Sequence, residues 1–506
     1  MMPGPFSLTP RRLIAALMLA CALLAGPLRA EAAARVALVF GLADYRTVTP
    51  LKNTANDARA IAATLTALGF DTTVALDATL DAMVTAVNTF SEQAETADVA
   101  LVYYAGHGVE LDGENYLLPV DLAIDAPSEI GARALSLKRL LAAVDRARRL
   151  RIVILDSCRN NPFADGPVDA APAALPAGAI DRLRGGGLAA PSPDRGMMVV
   201  YAAEDGKVAL DGKGSHSPFA QALLDLMPKK DVEIGLLFRQ VRDAVMRETE
   251  NRQQPHFYGS LSGVPFFLAG GDQPLPDGKD KAVAWQKLAP DQSVQLAALA
   301  GDGDTRAMIG LGYMALSPDT ARYAPAEAFR HFSTAAERGD AEAMFELAKL
   351  YETGVGTTQD VAEALRLFRA SADLGFPDAI NDLGVLTYQG MAGLPSDPQA
   401  AIALFLKAAD LRHPQAMFNV AALIDDGMIP GKGPGDAAGY LYLALRSGVE
   451  AVLNLLETRP TMFSAATRKA LQAILAEKKF YAGAIDGAFG PGTQRSLQVA
   501  FGRAPS

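Results

Sequence analysis

The chain has 506 residues, of which 50% are apolar and 21% are charged, and its formal net charge at pH 7 is −10. This length exceeds what a single hydrophobic core usually fills, so we expect two to four domains. The composition excludes extended disorder. The negative charge argues against a nucleic-acid partner, because phosphate binding needs clustered Lys and Arg.

The N-terminal segment has the pattern of a secretory signal peptide. Arg11 and Arg12 precede an uncharged apolar run over residues 13–26, which is too short to span a bilayer comfortably. We therefore expect a signal peptide over residues 1–32 and an exported protein, periplasmic or associated with the cell envelope, with no membrane span after cleavage. Lipoprotein export stays open because Cys21 lies in a weak lipoprotein-type sequence, and the paired arginines faintly resemble a twin-arginine signal.

Residues 35 to about 162 alternate between short apolar runs and amphipathic segments. The runs RVALVFG, FDTTVAL, VALVYYAG and RIVILDS have the composition of buried parallel strands. Asn56 and Asp57 mark the expected start of the first helix, and Gly69 its end. The alternation predicts an α/β fold with a mainly parallel central sheet, whose ligands bind at the carboxyl ends of the strands.

The α/β domain is predicted to cover residues 33–270, with an interruption. Residues 164–195 are rich in Pro, Ala and Gly, which is typical of a mobile linker. The pattern then resumes with the strand GMMVVYAA, two helices and closing strands in HFYGSL and VPFFLAG. A second linker follows over residues 271–284.

An internal repeat follows the second linker. Four aligned alanines, Ala307, Ala343, Ala379 and Ala416, lie 36, 36 and 37 residues apart. Each repeat unit is expected to be a helix pair that buries its apolar face only by stacking on its neighbours, so residues 285–455 predict an all-α helical-repeat solenoid. The small-residue positions and the ends AAERGD, SADLGF and AADLRH resemble Sel-like tetratricopeptide-type repeats. That resemblance implies a surface for protein partners.

The last segment, residues 460–502, resembles a small three-helix peptidoglycan-binding domain. The resemblance rests on the core FYAGAIDGAFGPGT, in which Ile485 and Phe489 are expected to fill a small core and Pro491 to open the last helix. It implies peptidoglycan as a partner. A structural role without glycan binding stays open, because the same residues determine the fold.

Two residues carry the candidate chemistry. Cys21 and Cys158 are the chain's only cysteines, and signal cleavage would leave Cys158 as a single thiol. Such a thiol is either a small buried side chain or a nucleophile that needs a base and oxyanion donors. His107 follows the strand VALVYYAG, 51 residues before Cys158. Both residues are therefore expected at the same edge of the sheet.

The blocks around these residues resemble the caspase superfamily. LVYYAGHGVELDGENYLLPVD and ILDSCRNNPF resemble its large-subunit portion, and SHSPFAQALL with the helix after it resembles the small-subunit portion, so the resemblance covers about residues 35–268. It implies a cysteine endopeptidase in which His107 is the general base and Cys158 forms a thioester. It also implies an oxyanion hole formed by the backbone amides of Gly108 and Cys158.

The residues before the cysteine resemble the metacaspase and bacterial orthocaspase branch. Asp156 lies two residues before Cys158, and Asp57 matches a second acidic position of that branch. Two carboxylates in a partly desolvated pocket favour a cation, so the resemblance implies substrate binding by Asp57 and Asp156 and cleavage after Arg or Lys. The alternatives are a helix cap for Asp57 and a turn residue for Asp156. His216 either caps a helix or borders the substrate groove.

The sequence predicts no metal site and no cofactor. His and Cys are too few for a zinc site, and calcium dependence stays open because the scattered acidic residues do not follow the EF-hand spacing. A protein or peptide substrate is expected. The alternative function is a non-catalytic cell-envelope scaffold that uses the caspase-like fold and the repeats for protein binding.

Overall fold

A computed structural model describes residues 34–123, 129–157, 196–204, 209–259, 265–270, 285, 288, 290–317 and 322–503. The predicted signal peptide over residues 1–32, the predicted nucleophile Cys158 and the predicted linkers 164–195 and 271–284 lie outside the described residues. The chain divides into two compact units, the first of which holds the α/β elements and the second the helical repeats and the C-terminal segment.

The α/β unit is built on a six-stranded sheet with the order β2-β1-β3-β7-β8-β9. All neighbouring strands are parallel except β9, which runs antiparallel to β8. The strands of this sheet are β1 (Arg35–Gly41), β2 (Asp71–Leu76), β3 (Val99–Ala105), β7 (Leu150–Asp156), β8 (Met197–Tyr201) and β9 (His256–Gly259). The mainly parallel sheet predicted from the alternating pattern is therefore confirmed.

The register of the central strands aligns their carboxyl ends. Ala105 at the end of β3 pairs with Gly41 of β1 on one side and with Asp156 of β7 on the other. Strands β3 and β7 are buried along their whole length, which explains their continuous apolar sequences. The residues that follow these strands consequently meet at one edge of the sheet.

The helices of this unit pack beside the sheet. They are α1 (Thr54–Ala67), α2 (Leu80–Ala94), α3 (Ile130–Arg133), α4 (Leu137–Val144), α5 (Pro218–Leu226) and α6 (Ile234–Glu248). Helix α1 begins at Thr54 with Asn53 at the N-cap position, so the start predicted at Asn56 and Asp57 is too late. Asp57 lies in the first turn of α1 and is not its cap residue.

A small antiparallel sheet lies outside the predicted pattern. Its strands are β4 (Gly108–Leu111), β5 (Glu114–Leu117) and β6 (Leu135–Ser136). By contrast, the predicted closing strand VPFFLAG is wrong for its described residues, since Phe267 and Ala269 form only isolated bridges. Short strands of this kind are decided by their partners rather than by their own sequence.

The second unit begins with consecutive helices that pack against each other in pairs. These helices are α7 (Pro290–Gly301), α8 (Thr305–Ala315), α9 (Pro325–Glu337), α10 (Ala341–Thr353), α11 (Val361–Asp373), α12 (Pro377–Gln389), α13 (Pro398–Asp410), α14 (Pro414–Asp425) and α15 (Pro434–Arg446). The four repeat alanines are fully buried, as expected for positions where stacked helices approach closely. Within the described part of the chain, no helix is long and apolar enough to cross a membrane.

The C-terminal segment comprises α16 (Glu450–Thr458), a 3₁₀ turn (Pro460–Met462), α17 (Ala465–Glu477) and α18 (Pro491–Phe501). Gln472 of α17 is fully buried and bonds the loop between α17 and α18. Phe489 is buried in this loop as predicted, whereas Ile485 is 48% exposed. The core role expected for Ile485 is therefore wrong, because the amide of Gln472 holds this loop instead.

Candidate active site

His107 lies two residues beyond the end of β3, directly before β4. Its side chain is 7% exposed. The imidazole lies against the ring of Tyr45, with 4.7 Å between the ring centroids. The position predicted for His107 at the carboxyl edge of the sheet is the position that the structure gives.

One imidazole nitrogen of His107 is held by the backbone. Its Nε2 lies 2.8 Å from the carbonyl oxygen of Thr49. A carbonyl only accepts hydrogen bonds, so Nε2 carries the proton and Nδ1 keeps the lone pair. Burial lowers the pKa of His107, although the Thr49 carbonyl and the charge of Asp211 oppose this shift. His107 is thus uncharged at neutral pH, and its unprotonated nitrogen is Nδ1.

The backbone at His107 is fixed by two buried tyrosines. The amide of His107 donates to the hydroxyl of Tyr45 at 2.9 Å, and the hydroxyl of Tyr104 donates to the His107 carbonyl at 2.6 Å. A Cβ atom at Gly106 would lie 2.6 Å from the Tyr45 hydroxyl and 2.8 Å from that of Tyr104. A larger residue at position 106 would displace these two buried hydroxyls, which hold the backbone of His107.

Asp156 ends β7, beside the end of β3. Its side chain is 8% exposed. Its Oδ2 accepts from the hydroxyls of Tyr103 at 2.9 Å and Ser217 at 2.7 Å. These contacts come from β3 and from the cap of α5, so Asp156 is more than a strand-end turn residue.

Asp57, in the first turn of α1, also contacts Ser217 and is 1% exposed. Its Oδ1 lies 2.7 Å from Nδ1 of His216, and its Oδ2 accepts from the amide of Ser217 at 3.2 Å. Ser217 therefore joins the two carboxylates, through its amide to Asp57 and through its hydroxyl to Asp156. The two acids predicted to bind substrate come together in the structure.

A third carboxylate lies near this pair. Asp211 accepts from the amides of Lys52 and Asn53, at 2.9 and 3.2 Å. Its charge raises the pKa of both Asp57 and Asp156 and that of His107. The electrostatic influence of Asp211 therefore reaches the whole site.

The two carboxyl groups have strongly shifted acidities. Burial, followed by smaller contributions that include the charge of Asp211, raises the pKa of Asp57 to about 7. Burial, and next the charge of Asp57, raise the pKa of Asp156 to about 7. Buried carboxylates of like charge favour a cation between them, because it lowers the cost of ionising both.

The predicted nucleophile and the predicted oxyanion donors are only partly among the described residues. Cys158 lies outside the described residues, and the structure follows the chain as far as Ser157, the residue before it. Gly108 begins β4 directly after His107 and is buried. The roles predicted for Cys158 and Gly108 stay predictions.

Residues 34–265 match the family model of the caspase domain. This part of the chain is a caspase domain. Three further matches, to the Sel1 repeat, cover residues 305–340, 341–376 and 377–413. The caspase domain is thus followed by Sel1 repeats, in agreement with the helix pairs of the second unit.

Curated relatives share only parts of the chain. Protein SHC1 of Saccharomyces cerevisiae is 34% identical over 110 residues, which are 22% of this chain and 22% of that protein. The mucosa-associated lymphoid tissue lymphoma translocation protein 1 of Homo sapiens is 32% identical over 133 residues, 26% of this chain and 16% of the relative. The chain therefore spans less than a quarter of the length of these relatives.

A solved structure, a Sel1 repeat protein from Oxalobacter formigenes, covers 44% of this chain and 77% of its own, at 22% sequence identity and a TM-score of 0.30.

Several site residues of the caspase domain were not predicted. Thr49 contributes a backbone carbonyl, and any residue could do so, which leaves no signal in the sequence. Ser217 comes from the start of α5, far along the chain from both acids. Asp211 resembles any loop aspartate. The sequence predicts that His216 either borders the substrate groove or caps a helix. In the structure Ser217 is the residue that caps α5, and His216 contacts Asp57.

Proposed function

We propose that the chain is an exported cysteine endopeptidase that hydrolyses peptide bonds after Arg or Lys through a Cys158–His107 dyad. The caspase domain supports a peptidase-type function. The observation that carries the proposed preference for Arg or Lys is that Asp57 and Asp156 both contact Ser217, at the sheet edge where His107 lies.

The proposed pocket binds the side chain that precedes the cleaved bond. A guanidinium or ammonium group pairs with the carboxylates of Asp57 and Asp156, whose mutual repulsion it relieves. The Coulomb attraction between the substrate cation and these carboxylates is stronger than in water, because both carboxylates are buried in a region of low dielectric constant. An acidic substrate side chain would add a third negative charge and is rejected.

The proposed chemistry uses the free nitrogen of His107. Nδ1 accepts the thiol proton of Cys158, and the thiolate sulfur attacks the peptide carbonyl. The backbone amides of Gly108 and Cys158 donate to the oxyanion that forms. The imidazolium then protonates the leaving amine as the C–N bond breaks. Water, deprotonated by His107, hydrolyses the thioester and releases the new carboxyl terminus.

We propose that the other parts of the chain determine where the peptidase acts. The Sel1 repeats bind protein partners, the C-terminal segment binds peptidoglycan, and the N-terminal segment directs export to the periplasm or the cell envelope. The export proposal rests on the arginines and the apolar run before residue 33. The peptidoglycan proposal rests on the sequence FYAGAIDGAFGPGT.

The decisive experiment is a peptidase assay on the purified mature chain. Fluorogenic peptides that end in Arg, Lys or Asp are offered to the wild type and to Cys158→Ala. We expect turnover after Arg and Lys only, and a loss of about 10³-fold or more in Cys158→Ala. Equal activity of the two proteins would refute the dyad, and no turnover on any peptide would favour the non-catalytic scaffold.

A second comparison tests the pocket separately from the dyad. Asp57→Asn and Asp156→Asn are expected to lower kcat/KM for Arg peptides by about 10²-fold, because each removes a buried charge that faces the substrate cation. Asp71→Asn, an exposed acid at the start of β2, is the matched control and should leave kcat/KM unchanged. Preference for Asp peptides would leave the dyad intact but overturn the pocket.

A further inference from the structure

The Sel1 repeats contain a cavity of about 470 Å³. Three carboxylates line it, those of Glu352, Asp378 and Asp382, and no Lys or Arg is found among its described lining residues. We call this site the acidic cavity. Phe368 and Met391 belong to its apolar wall. The acidic cavity thus combines apolar walls with negative charge.

The preceding repeat contains an equivalent acidic pair with its partners in place. Glu342 and Glu346 lie 36 residues before Asp378 and Asp382. The hydroxyl of Tyr313 lies 2.7 Å from a carboxylate oxygen of Glu342 and 2.8 Å from one of Glu346, and it donates its single proton to one of them. Arg306 also pairs with Glu342 at 3.3 Å, and Lys349 with Glu346 at 3.1 Å. In this repeat the chain supplies the donors and the cations itself.

The environment of Asp378 and Asp382, one repeat later, differs from that of the two glutamates. Val385 lies 36 residues after Lys349 and is a lining residue that cannot donate a hydrogen bond. Nε2 of His413 lies 3.8 Å from a carboxylate oxygen of Asp378. Burial and then the charge of Asp378 raise the pKa of Asp382 to about 7, with Glu352 acting in the same direction and Lys349 opposing it. The repeat therefore places an apolar side chain in the lining where the preceding repeat has a cation that pairs with Glu346.

A buried acceptor next to this pair gives a second, independent indication. Asn381 lines the acidic cavity and is only 5% exposed. Its Nδ2 donates to Asp382 at 3.1 Å, which fixes the orientation of the amide. Its Oδ1 has no hydrogen-bond partner within the described chain. A buried acceptor without a donor is costly, so this atom favours a ligand rich in N–H groups.

We propose that the acidic cavity binds an arginine side chain presented by a polypeptide partner. The guanidinium offers five donors in a planar fork that suits carboxylate pairs. Its aliphatic stem packs against the apolar wall at Phe368 and Met391. The Sel1 repeats thereby select basic segments by charge. This proposal does not depend on the peptidase function of the caspase domain.

The test uses the full chain with Cys158→Ala and Asp57→Asn, so that peptides are neither cut nor held in the proposed substrate pocket. A fluorescein-labelled peptide Ser-Gly-Leu-Arg-Leu-Gly-Ser is titrated at pH 7.5 and followed by fluorescence anisotropy. The comparison peptide carries citrulline in place of arginine, which keeps the shape and removes the charge. We expect binding of the arginine peptide to be at least about 10-fold tighter.

Two variants localise the binding. Adding Asp378→Asn and Asp382→Asn should reduce binding of the arginine peptide to the level of the citrulline peptide. Gln389→Lys places a cation in the lining and should also abolish the preference, while it raises the melting temperature. Glu337→Gln, an exposed acid outside the lining, is the control and should bind normally. Equal binding of both peptides, or unchanged binding in the Asn variants with an unchanged melting transition, would overturn the proposal.

Discussion

The Nδ1 atom of His216 lies 2.7 Å from Oδ1 of Asp57. An imidazole of the chain itself therefore contacts one oxygen of a carboxylate that we assign to the substrate pocket. His216 is partly exposed while Asp57 is not, with side-chain exposures of 22% and 1%. The more accessible partner is the one that can move away. A substrate cation would thus compete with His216 for Asp57.

Removal of this competitor should strengthen substrate binding. We expect His216→Ala to lower KM for Arg peptides by about 2- to 10-fold with little change in kcat, the size of one partly buried hydrogen bond. His216→Lys should raise KM, because a permanent cation pairs with Asp57. Steady-state kinetics measures both, with the exposed Lys213→Ala as control. A higher KM in His216→Ala would mean that the imidazole positions the pocket instead of competing for it.

The rise of kcat/KM on the acid side of the pH profile should reflect the ionisation of Asp57 and Asp156 rather than that of His107. Burial lowers the pKa of His107, whereas the pKa values of Asp57 and Asp156 are raised to about 7. Because the carboxylates must ionise to bind Arg, kcat/KM for Arg peptides should rise as the pH increases through about 7. In Asp57→Asn this rise should move to lower pH, since Asp156 loses a charged neighbour. Identical midpoints in the two proteins would contradict this assignment.

The same shifts predict how stability depends on pH. A folded pKa raised above 3.8 means that the folded state holds its protons more tightly than the unfolded state. The free energy of unfolding should therefore fall as the pH rises from about 4 to 7. Asp57→Asn with Asp156→Asn should be more stable than the wild type above pH 7, and the difference should shrink towards pH 4. Urea unfolding of both proteins at several pH values measures it, and a difference that grows on acidification would contradict it.

The contact between His107 and Thr49 involves the backbone of Thr49. Thr49→Ala should therefore keep kcat/KM within about 2-fold, because the carbonyl remains and the threonine side chain is exposed. His107→Gln should lose about 10³-fold, since it removes the base. Kinetics on Arg peptides compares the two variants. A large loss in Thr49→Ala would assign its side chain a role that this contact does not require.

Gln472 should be the most sensitive position of the C-terminal segment. Its amide donates to the Ala488 carbonyl at 3.0 Å and accepts from the Gly487 amide at 2.7 Å, and the residue is fully buried. Gln472→Ala leaves these groups unpaired and should cost about 1–3 kcal/mol. Thermal unfolding measures the loss, and the exposed Lys469→Ala on the same helix should change little. A neutral Gln472→Ala would mean that water replaces the amide.

Local patterns predicted the parts of this chain whose structure is locally determined. The continuous apolar runs at β1, β3 and β7 predicted buried parallel strands, because only a strand covered on both faces tolerates such sequences. The regular spacing of the repeat alanines predicted the helix pairs, because small residues recur where stacked helices approach closely and are buried. The strand expected at VPFFLAG failed because edge pairing depends on a neighbour that the sequence does not name.

The sequence by itself determined that His107 follows one buried strand and that Asp156 ends another, and chain order in a parallel sheet then placed both at one edge. The tertiary structure alone decided what surrounds them. The Thr49 carbonyl at His107, Ser217 between the two acids and His216 against Asp57 come from segments distant in the chain. Their contacts exist only after folding, and burial at that point shifts the acidity of both carboxyl groups.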